Sequence, residues 1–262
     1  MICLVTGAGG GMGSALCRCL VQEGWRVIGL DLNPPAQHEG WEYMPADLTR
    51  PEDLKAVFRK LASEGTELDA IVHMAGVYDL NSLIEMPEED FIRDFDINLF
   101  CMFRVNRTFV PLLKEGGRIL MVSSELAPLN PLPFTGIYGI TKTAVERYAA
   151  ALRMELQLLG HPVIVIRPGA VRTGMLPAST EKLERFCAAT EHYACNAERF
   201  RKIVKSVEAR NVPPEAIAGI CLNALTARRP RLLYCINRNP LLLILNLFPE
   251  RFQLWIIRMI LK

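Results

Sequence analysis

Ile2-Cys3-Leu4-Val5-Thr6-Gly7-Ala8-Gly9-Gly10-Gly11-Met12-Gly13 decides how this chain is read. A short aliphatic run passes straight into a glycine-rich turn and then into a helical period: a strand, a tight turn and a helix N-terminus. Without Cβ atoms the backbone can approach a pyrophosphate, and the free N–H groups of the helix's first turn point at the anion. A glycine cluster alone is weak evidence. Here it opens a strand–helix–strand unit whose second strand, Arg26 to Asp31, ends in a carboxylate twenty residues after Gly11. A carboxylate at that point accepts both hydroxyls of an adenosine ribose and repels a 2′-phosphate, so the expected cofactor is NAD, with NADP disfavoured.

Outward from this unit, short aliphatic runs keep alternating with helical stretches, which is the pattern of a parallel sheet covered by helices. Strands are expected at 2–6, 26–31, 42–46, 70–74, 118–123, 163–167 and 232–236. Helices are expected at 13–23, 51–64, 88–113, 138–159 and 214–227. Runs such as Ile71-Val72-His73-Met74 and Val163-Ile164-Val165-Ile166 are apolar on both sides, as strands buried on both faces must be. The expected fold is therefore α/β: one Rossmann-type, doubly wound parallel sheet of about seven strands with helices on both faces. Residues 1–239 form the dinucleotide-binding and catalytic domain. Within it, 172–211 breaks the rhythm and carries added helix, with Phe200, Ile203, Val204 and Val207 on one stripe and Lys202 and Lys205 turned away, read as a substrate lid. Residues 240–262 form an amphipathic C-terminal tail.

The chain's 262 residues allow a large core, and its apolar half rules out disorder and collagen-like repetition. Thirty Lys and Arg against 28 Asp and Glu give no case for a nucleic-acid partner. Eight cysteines without a CxxC pair, and no charged, apolar, small-residue leader, read as reduced cytosolic thiols. With four scattered histidines, no metal site is expected. The longest uninterrupted apolar run near the C-terminus, Leu241 to Leu245, is far short of a membrane span. The expected location is cytoplasmic, with membrane association through the tail as the alternative.

Tyr138-Gly139-Ile140-Thr141-Lys142 opens a predicted helix. Positions i and i+4 share a helical face, so the ammonium lies beside the phenol and is expected to lower its pKa from the usual ~10. Upstream, a strand ends in Ser123-Ser124 at the carboxyl edge of the sheet, where ligands of open α/β sheets bind. A hydroxyl there can hold a substrate oxygen.

Together these motifs resemble the short-chain dehydrogenase/reductase family of about 250 residues, in particular its hydroxysteroid and retinol dehydrogenase-like members. The glycine pattern is met by Thr6, Gly7, Gly11, Met12 and Gly13, and the Asp-Leu pair after the third strand by Asp47 and Leu48. Asn98 matches the helix asparagine, Ser124 the serine, Tyr138 and Lys142 the YxxxK pair, and Pro168, Gly169 and Thr173 the PGxxxT stretch. The family's Asn-Asn-Ala-Gly is here His73-Met74-Ala75-Gly76, in which Ala75 and Gly76 still pack the adenine. Ser124 precedes Tyr138 by fourteen residues, one more than is common in the family; Ala127 to Thr135 takes up the extra residue, and Ser123 is the alternative. The resemblance implies hydride exchange between nicotinamide and a carbinol carbon. Tyr138 acts as base, Ser124 holds the substrate oxygen, Lys142 assists and reaches the nicotinamide ribose, and Asn98 anchors a water that passes the proton to solvent.

Leu126 to Phe134 is largely apolar with three prolines, a stiff greasy wall beside the tyrosine. Val77, Tyr78, Leu80, Met175 and Leu176 are expected to join it. The substrate expected is a bulky apolar alcohol or ketone such as a steroid, bile acid, retinoid or lipid. A sugar-nucleotide epimerase or dehydratase shares Tyr and Lys, but its glycine spacing and larger substrate domain are absent; an inactive dinucleotide sensor would have lost Ser, Tyr or Lys. Homodimer or homotetramer assembly is expected. In the tail, Phe252, Trp255, Ile256 and Met259 make an apolar stripe, widened by Leu254, Ile257, Ile260 and Leu261, with Arg251, Arg258 and Lys262 on the other side. Its burial is expected against the lid, a second subunit or a lipid surface.

Overall fold

The computed structural model describes residues 1–34, 40–208 and 210–262, with the backbone alone at 176–179 and 205–208. The expected Leu176, Lys205 and Val207 side chains therefore lie outside the described residues.

Seven strands, β1 (Ile2–Thr6), β2 (Arg26–Asp31), β3 (Glu42–Pro45), β4 (Leu68–His73), β5 (Leu113–Val122), β6 (Val163–Pro168) and β7 (Leu233–Ile236), form one parallel sheet. Their order is β3-β2-β1-β4-β5-β6-β7. The chain winds outward from β1 in one direction and from β4 in the other, which opens a crevice between the carboxyl ends of these two strands. In β1, Cys3 and Val5 are buried on one face and Leu4 on the other, so the strand reads as an unbroken apolar run.

The helices are α1 (Gly11–Gln22), α2 (Pro51–Ser63), α3 (Glu88–Phe95), α4 (Cys101–Phe109), α5 (Gly136–Leu156), α6 (Met175–Ala189), α7 (Ala194–Glu208), α8 (Pro214–Thr226), α9 (Pro240–Leu245) and α10 (Glu250–Leu261). Leu16 and Leu20 of α1 join Ile217 and Cys221 of α8 over one face of the sheet. Leu54 of α2, Val105 and Phe109 of α4 and Val145 of α5 cover the other. Fully burying each such side chain contributes on the order of 1.5–3 kcal/mol.

Two elements differ from their sequence reading. The helix expected over 88–113 is interrupted by a π turn, Asp96–Phe100, between α3 and α4, and β5 begins at Leu113 rather than Arg118. The register between β4 and β5 shifts between Leu68 and Ala70, and Gly116 bends with φ +75°, so Lys114-Glu115-Gly116-Gly117 extends the strand although it reads as a turn.

The segment expected to act as a lid folds as a pair of helices, α6 and α7, closed around Leu183, Phe186, Ala197 and Phe200. The ring of Phe134 enters this cluster 4.9 Å from Phe186 and 5.3 Å from Phe200. Phe134 takes a left-handed φ of +66°, a conformation that costs a non-glycine residue about 1 kcal/mol or more and is held here by the aromatic contacts. The tail helix α10 packs on α7 through Gln253, Ile257 and Leu261, the last two from the widened edge of the expected stripe, whereas Phe252, Trp255 and Met259 at its centre face outward. Both sides of this helix are apolar, so periodicity alone did not rank them.

Candidate active site

The glycine turn works by close approach. A Cβ on Gly13 would stand 2.0 Å from the Gly7 carbonyl oxygen, and one on Gly11 would press on Thr173 at 2.9 Å. α1 begins at Gly11 with no side-chain cap, so its first-turn N–H groups face the groove beside the turn. At the end of β2, Asp31 accepts the Gly9 N–H at 2.9 Å through Oδ2 and the Asn33 N–H at 3.2 Å through Oδ1. Asp47 accepts both the N–H and the hydroxyl of Thr49, at 2.9 and 2.6 Å, and Leu48, Ala75 and Gly76 complete the same groove. The described residues lining it include two aspartates and no Lys or Arg. These uncapped amides, glycines and carboxylates fit a dinucleotide: pyrophosphate at the turn and ribose at Asp31.

Past Met74 and Gly76, which line both spaces, the groove meets a second pocket over the ends of β5 and β6. The two serines at the end of β5 have different duties. Ser123 donates to Glu146 Oε1 at 2.9 Å, and Glu146 is paired with Arg167, so this hydroxyl is bound into the framework. The Ser124 hydroxyl lies against the Tyr138 phenol and accepts the Leu126 N–H at 3.2 Å. Tyr138, half-buried, faces the pocket, with Tyr78 edge-on to its ring at 4.6 Å.

Lys142 is buried one turn along α5, its Nζ 5.6 Å from the Tyr138 ring centre and donating to the Val122 carbonyl at 3.2 Å. Burial pulls its pKa down to about 8. Burial also pushes the Tyr138 phenol up to about 12, against the pull of the Ser124 hydroxyl and with a further push from the Glu125 carboxylate. The expected depression of the phenol by Lys142 is not found in the protein alone: burial raises the phenol and lowers the ammonium, because desolvation penalises both charged forms.

Asn98 sits in the π turn, fully buried. Its Oδ1 accepts the Val77 N–H at 2.8 Å, and its Nδ2 donates to the Val77 carbonyl at 3.0 Å and the Thr141 hydroxyl at 3.1 Å. Its side chain clamps the chain after β4 to α5. A Cβ on Gly76 would crowd Asn98 Oδ1 at 3.0 Å and Lys142 Nζ at 3.3 Å, so these groups meet across a glycine. His73, where the family carries asparagine, is buried and bonded through Nε2 to Asn106 Oδ1 at 2.8 Å. Burial lowers its pKa to about 4, which keeps it neutral. Pro168 at the end of β6, and Gly169 and Thr173 beyond it, line the pocket.

The wall is as apolar as expected along Val77, Tyr78, Leu126, Leu132 and Met175. Leu80 instead belongs to the core of the lid cluster. Phe200, Ile203 and Val204 of α7 close the pocket from above. Some wall residues escaped the sequence reading, Leu242 and Glu125 among them. Leu242 of α9 enters the pocket, and its only signal was that its helix follows β7 closely. Glu125 is buried beside Ser124, and its Oε2 accepts the Asn239 N–H at 2.6 Å; adjacency to the serine was the available signal.

The fold and this site define an oxidoreductase of the Rossmann type, and comparison with known proteins names its family. Residues 1–184 match the short chain dehydrogenase family model, and the chain belongs to the short-chain dehydrogenases/reductases, NAD(P)(H)-using oxidoreductases that act on CH–OH groups. It is 25% identical to a 3-ketodihydrosphingosine reductase of Bacteroides thetaiotaomicron, over 84% of this chain and 82% of that one. It is 28% identical to estradiol 17-beta-dehydrogenase 2 of Rattus norvegicus, over 90% of this chain and 68% of that one. The fold matches the Thermoplasma acidophilum aldohexose dehydrogenase with a TM-score of 0.75 at 19% identity, covering 92% of this chain and 94% of that one.

Proposed function

We propose that this protein transfers a hydride between NAD(H) and a secondary alcohol or ketone on a bulky apolar substrate, with Tyr138 as general acid/base. The observation that carries this reading is the pocket around Tyr138 and Ser124, walled by Leu126, Leu132, Phe200, Val204 and Leu242. Such a surface favours a hydrocarbon body and leaves sugar hydroxyls without partners. Two relatives, named for a ketodihydrosphingosine and for estradiol, suit the same class. Asp31, in a groove lined by no cation among the described residues, favours NAD, because a 2′-phosphate would meet a carboxylate with nothing to neutralise it.

A bound nicotinamide would supply the hydride acceptor and a positive charge. The chain's own residues do the rest. Ser124 donates a hydrogen bond to the substrate oxygen, and Tyr138 takes the hydroxyl proton in oxidation or returns it in reduction. Lys142 places a titratable amine behind the phenol, and Asn98 fixes the strap that carries Val77 and Gly76. The apolar wall excludes water from the reacting carbon.

The test is to incubate pure protein with NAD or NADP and a panel of sterol, long-chain and sugar alcohols while following reduced nicotinamide. Turnover of the apolar alcohols with a higher kcat/KM for NAD than for NADP is expected. Preference for the sugars, or for NADP, overturns the corresponding part, and NADH binding without turnover of any alcohol would favour a dinucleotide sensor.

A further inference from the structure

The last two helices leave an uncovered surface that the site does not use. Phe248, in the turn after α9, and Phe252 and Trp255 of α10 form a continuous aromatic row, with ring centres 5.0 and 5.6 Å apart and the last pair stacked. Around it Leu241, Ile244, Leu247, Leu254 and Met259 are exposed; Leu247 is 83% exposed and Trp255 57%. Intramolecular packing does not account for this face, because α10 already seats Gln253, Ile257 and Leu261 inward. From Asn237 to Lys262 the chain has four basic residues and one acidic, whereas residues 1–236 have 26 basic and 27 acidic.

The placement of these cations matters more than their number. Arg251, Arg258 and Lys262 stand at i, i+7 and i+11, in one row along the flank of the aromatic face. Arg258 and Lys262 also line a shallow apolar groove between α10 and the exposed Leu83 and Ile84. Among the described residues, none of these three cations has an ion-pair partner within 4.0 Å. Aromatic rings and aliphatic side chains with cations along one flank suit the boundary of an anionic bilayer, where the rings sit at headgroup depth and the cations meet the phosphates. A second copy docked on the same face by two-fold symmetry would bring like charges together. No described helix is long and apolar enough to cross a membrane, so the contact is with the surface.

We infer that α9 and α10 form a docking surface for an anionic lipid membrane. Because Leu242 of α9 lines the catalytic pocket while Leu241 and Ile244 of the same helix are exposed, this surface adjoins the pocket. A lipophilic substrate would then move between bilayer and pocket along α9. The docking itself does not depend on the substrate reading.

The full chain carries its own probe. Of its three tryptophans, Trp25 and Trp41 are buried and Trp255 is exposed. Tryptophan emission and co-sedimentation are measured with vesicles of phosphatidylcholine alone and mixed with phosphatidylserine. Expected is pelleting with the mixed vesicles, at least about tenfold stronger than with phosphatidylcholine, and a blue shift that is absent in Trp255→Phe. A Phe252→Glu/Leu247→Glu variant, with unchanged circular dichroism, should stay in the supernatant, and Arg251→Gln/Arg258→Gln/Lys262→Gln should lose the anionic preference. Intact protein remaining in the supernatant with the mixed vesicles overturns the inference. So does a light-scattering mass of two or more copies that falls to one copy in Phe252→Glu/Leu247→Glu, which would assign the face to a second subunit.

Discussion

Lys142 carries a charge to a place that resists it. Its ammonium is buried with a carbonyl for company, and its pKa falls from the 10.5 of a free lysine to about 8. Between those values the unfolded chain holds a proton that the folded chain has lost, so stability from this group rises as pH climbs from about 8 to 10.5. Below pH 8 both states are charged and the full cost of about 3 kcal/mol is present. Lys142→Met is therefore expected to stabilise the cofactor-free protein at pH 7, by on the order of 1–3 kcal/mol after the lost hydrogen bond, and to flatten the rise between pH 8 and 10.5. Urea melts across that range check it, and an unchanged slope would contradict the burial argument. Turnover should be lost in the same variant, the usual exchange of stability for function. At Tyr138 only the oxygen matters to the chemistry. Tyr138→Phe should lower kcat at least about a hundredfold, with NADH affinity by fluorescence titration nearly unchanged.

The π turn at Asp96–Phe100 shows what an element adds to its residues. One extra residue in the helical ladder swings Asn98 onto both backbone groups of Val77 and onto Thr141, so three polar groups depend on one side chain. Asn98→Ala takes the partner from both Val77 backbone groups, while the Thr141 hydroxyl keeps its bond to the Tyr138 carbonyl at 2.9 Å, and is expected to cost about 1–3 kcal/mol. Asn98→Asp keeps the acceptor for the Val77 N–H and should fall between, by thermal unfolding. The sequence carried part of this. An asparagine within a helical run was the clue to its importance, but the apolar period continues through the π turn, so nothing in the spacing revealed the break. The same contrast holds elsewhere. β1, β2 and β6 were legible because their central residues are buried on both faces and largely aliphatic. The start of β5 was hidden because a bulge and Gly116 let polar residues extend the strand. The glycine turn, Ser124, Tyr138 and Lys142 were legible as local spacings; Glu125 had only its adjacency to Ser124, and Leu242 reaches the pocket through long-range packing that local pattern does not encode.

At the scale of the whole molecule the tail and the α6–α7 helix pair form one support for the pocket. Ile257 and Leu261 of α10 join the cluster containing Leu183, Phe186 and Phe200, and the Leu261 carbonyl accepts Asn196 Nδ2 of α7 at 2.6 Å. α7 in turn presents Phe200, Ile203 and Val204 to the pocket, while the glycine turn and Asp31 lie on the separate groove at β1 and β2. Asn130 fastens the wall loop to the tail, donating its N–H to Asn246 Oδ1 at 2.8 Å and its Nδ2 to Gln253 Oε1 at 3.2 Å. Deleting residues 249–262 therefore removes the backing of α7 and one anchor of the 126–134 wall without touching the cofactor groove. Uncovering Ile257's and Leu261's partners forfeits on the order of 1.5–3 kcal/mol for each lost side chain, enough to let α7 sample open positions. The expected result is a KM for a bulky apolar substrate raised about tenfold or more, a much smaller change for a short alcohol that does not reach α7, and an unchanged NADH dissociation constant. Steady-state kinetics on the two alcohols, with a fluorescence titration of NADH, separate this from simple unfolding, which would weaken all three together. Equal KM values for the intact and truncated proteins on the bulky substrate would show that α6 and α7 hold their place unaided.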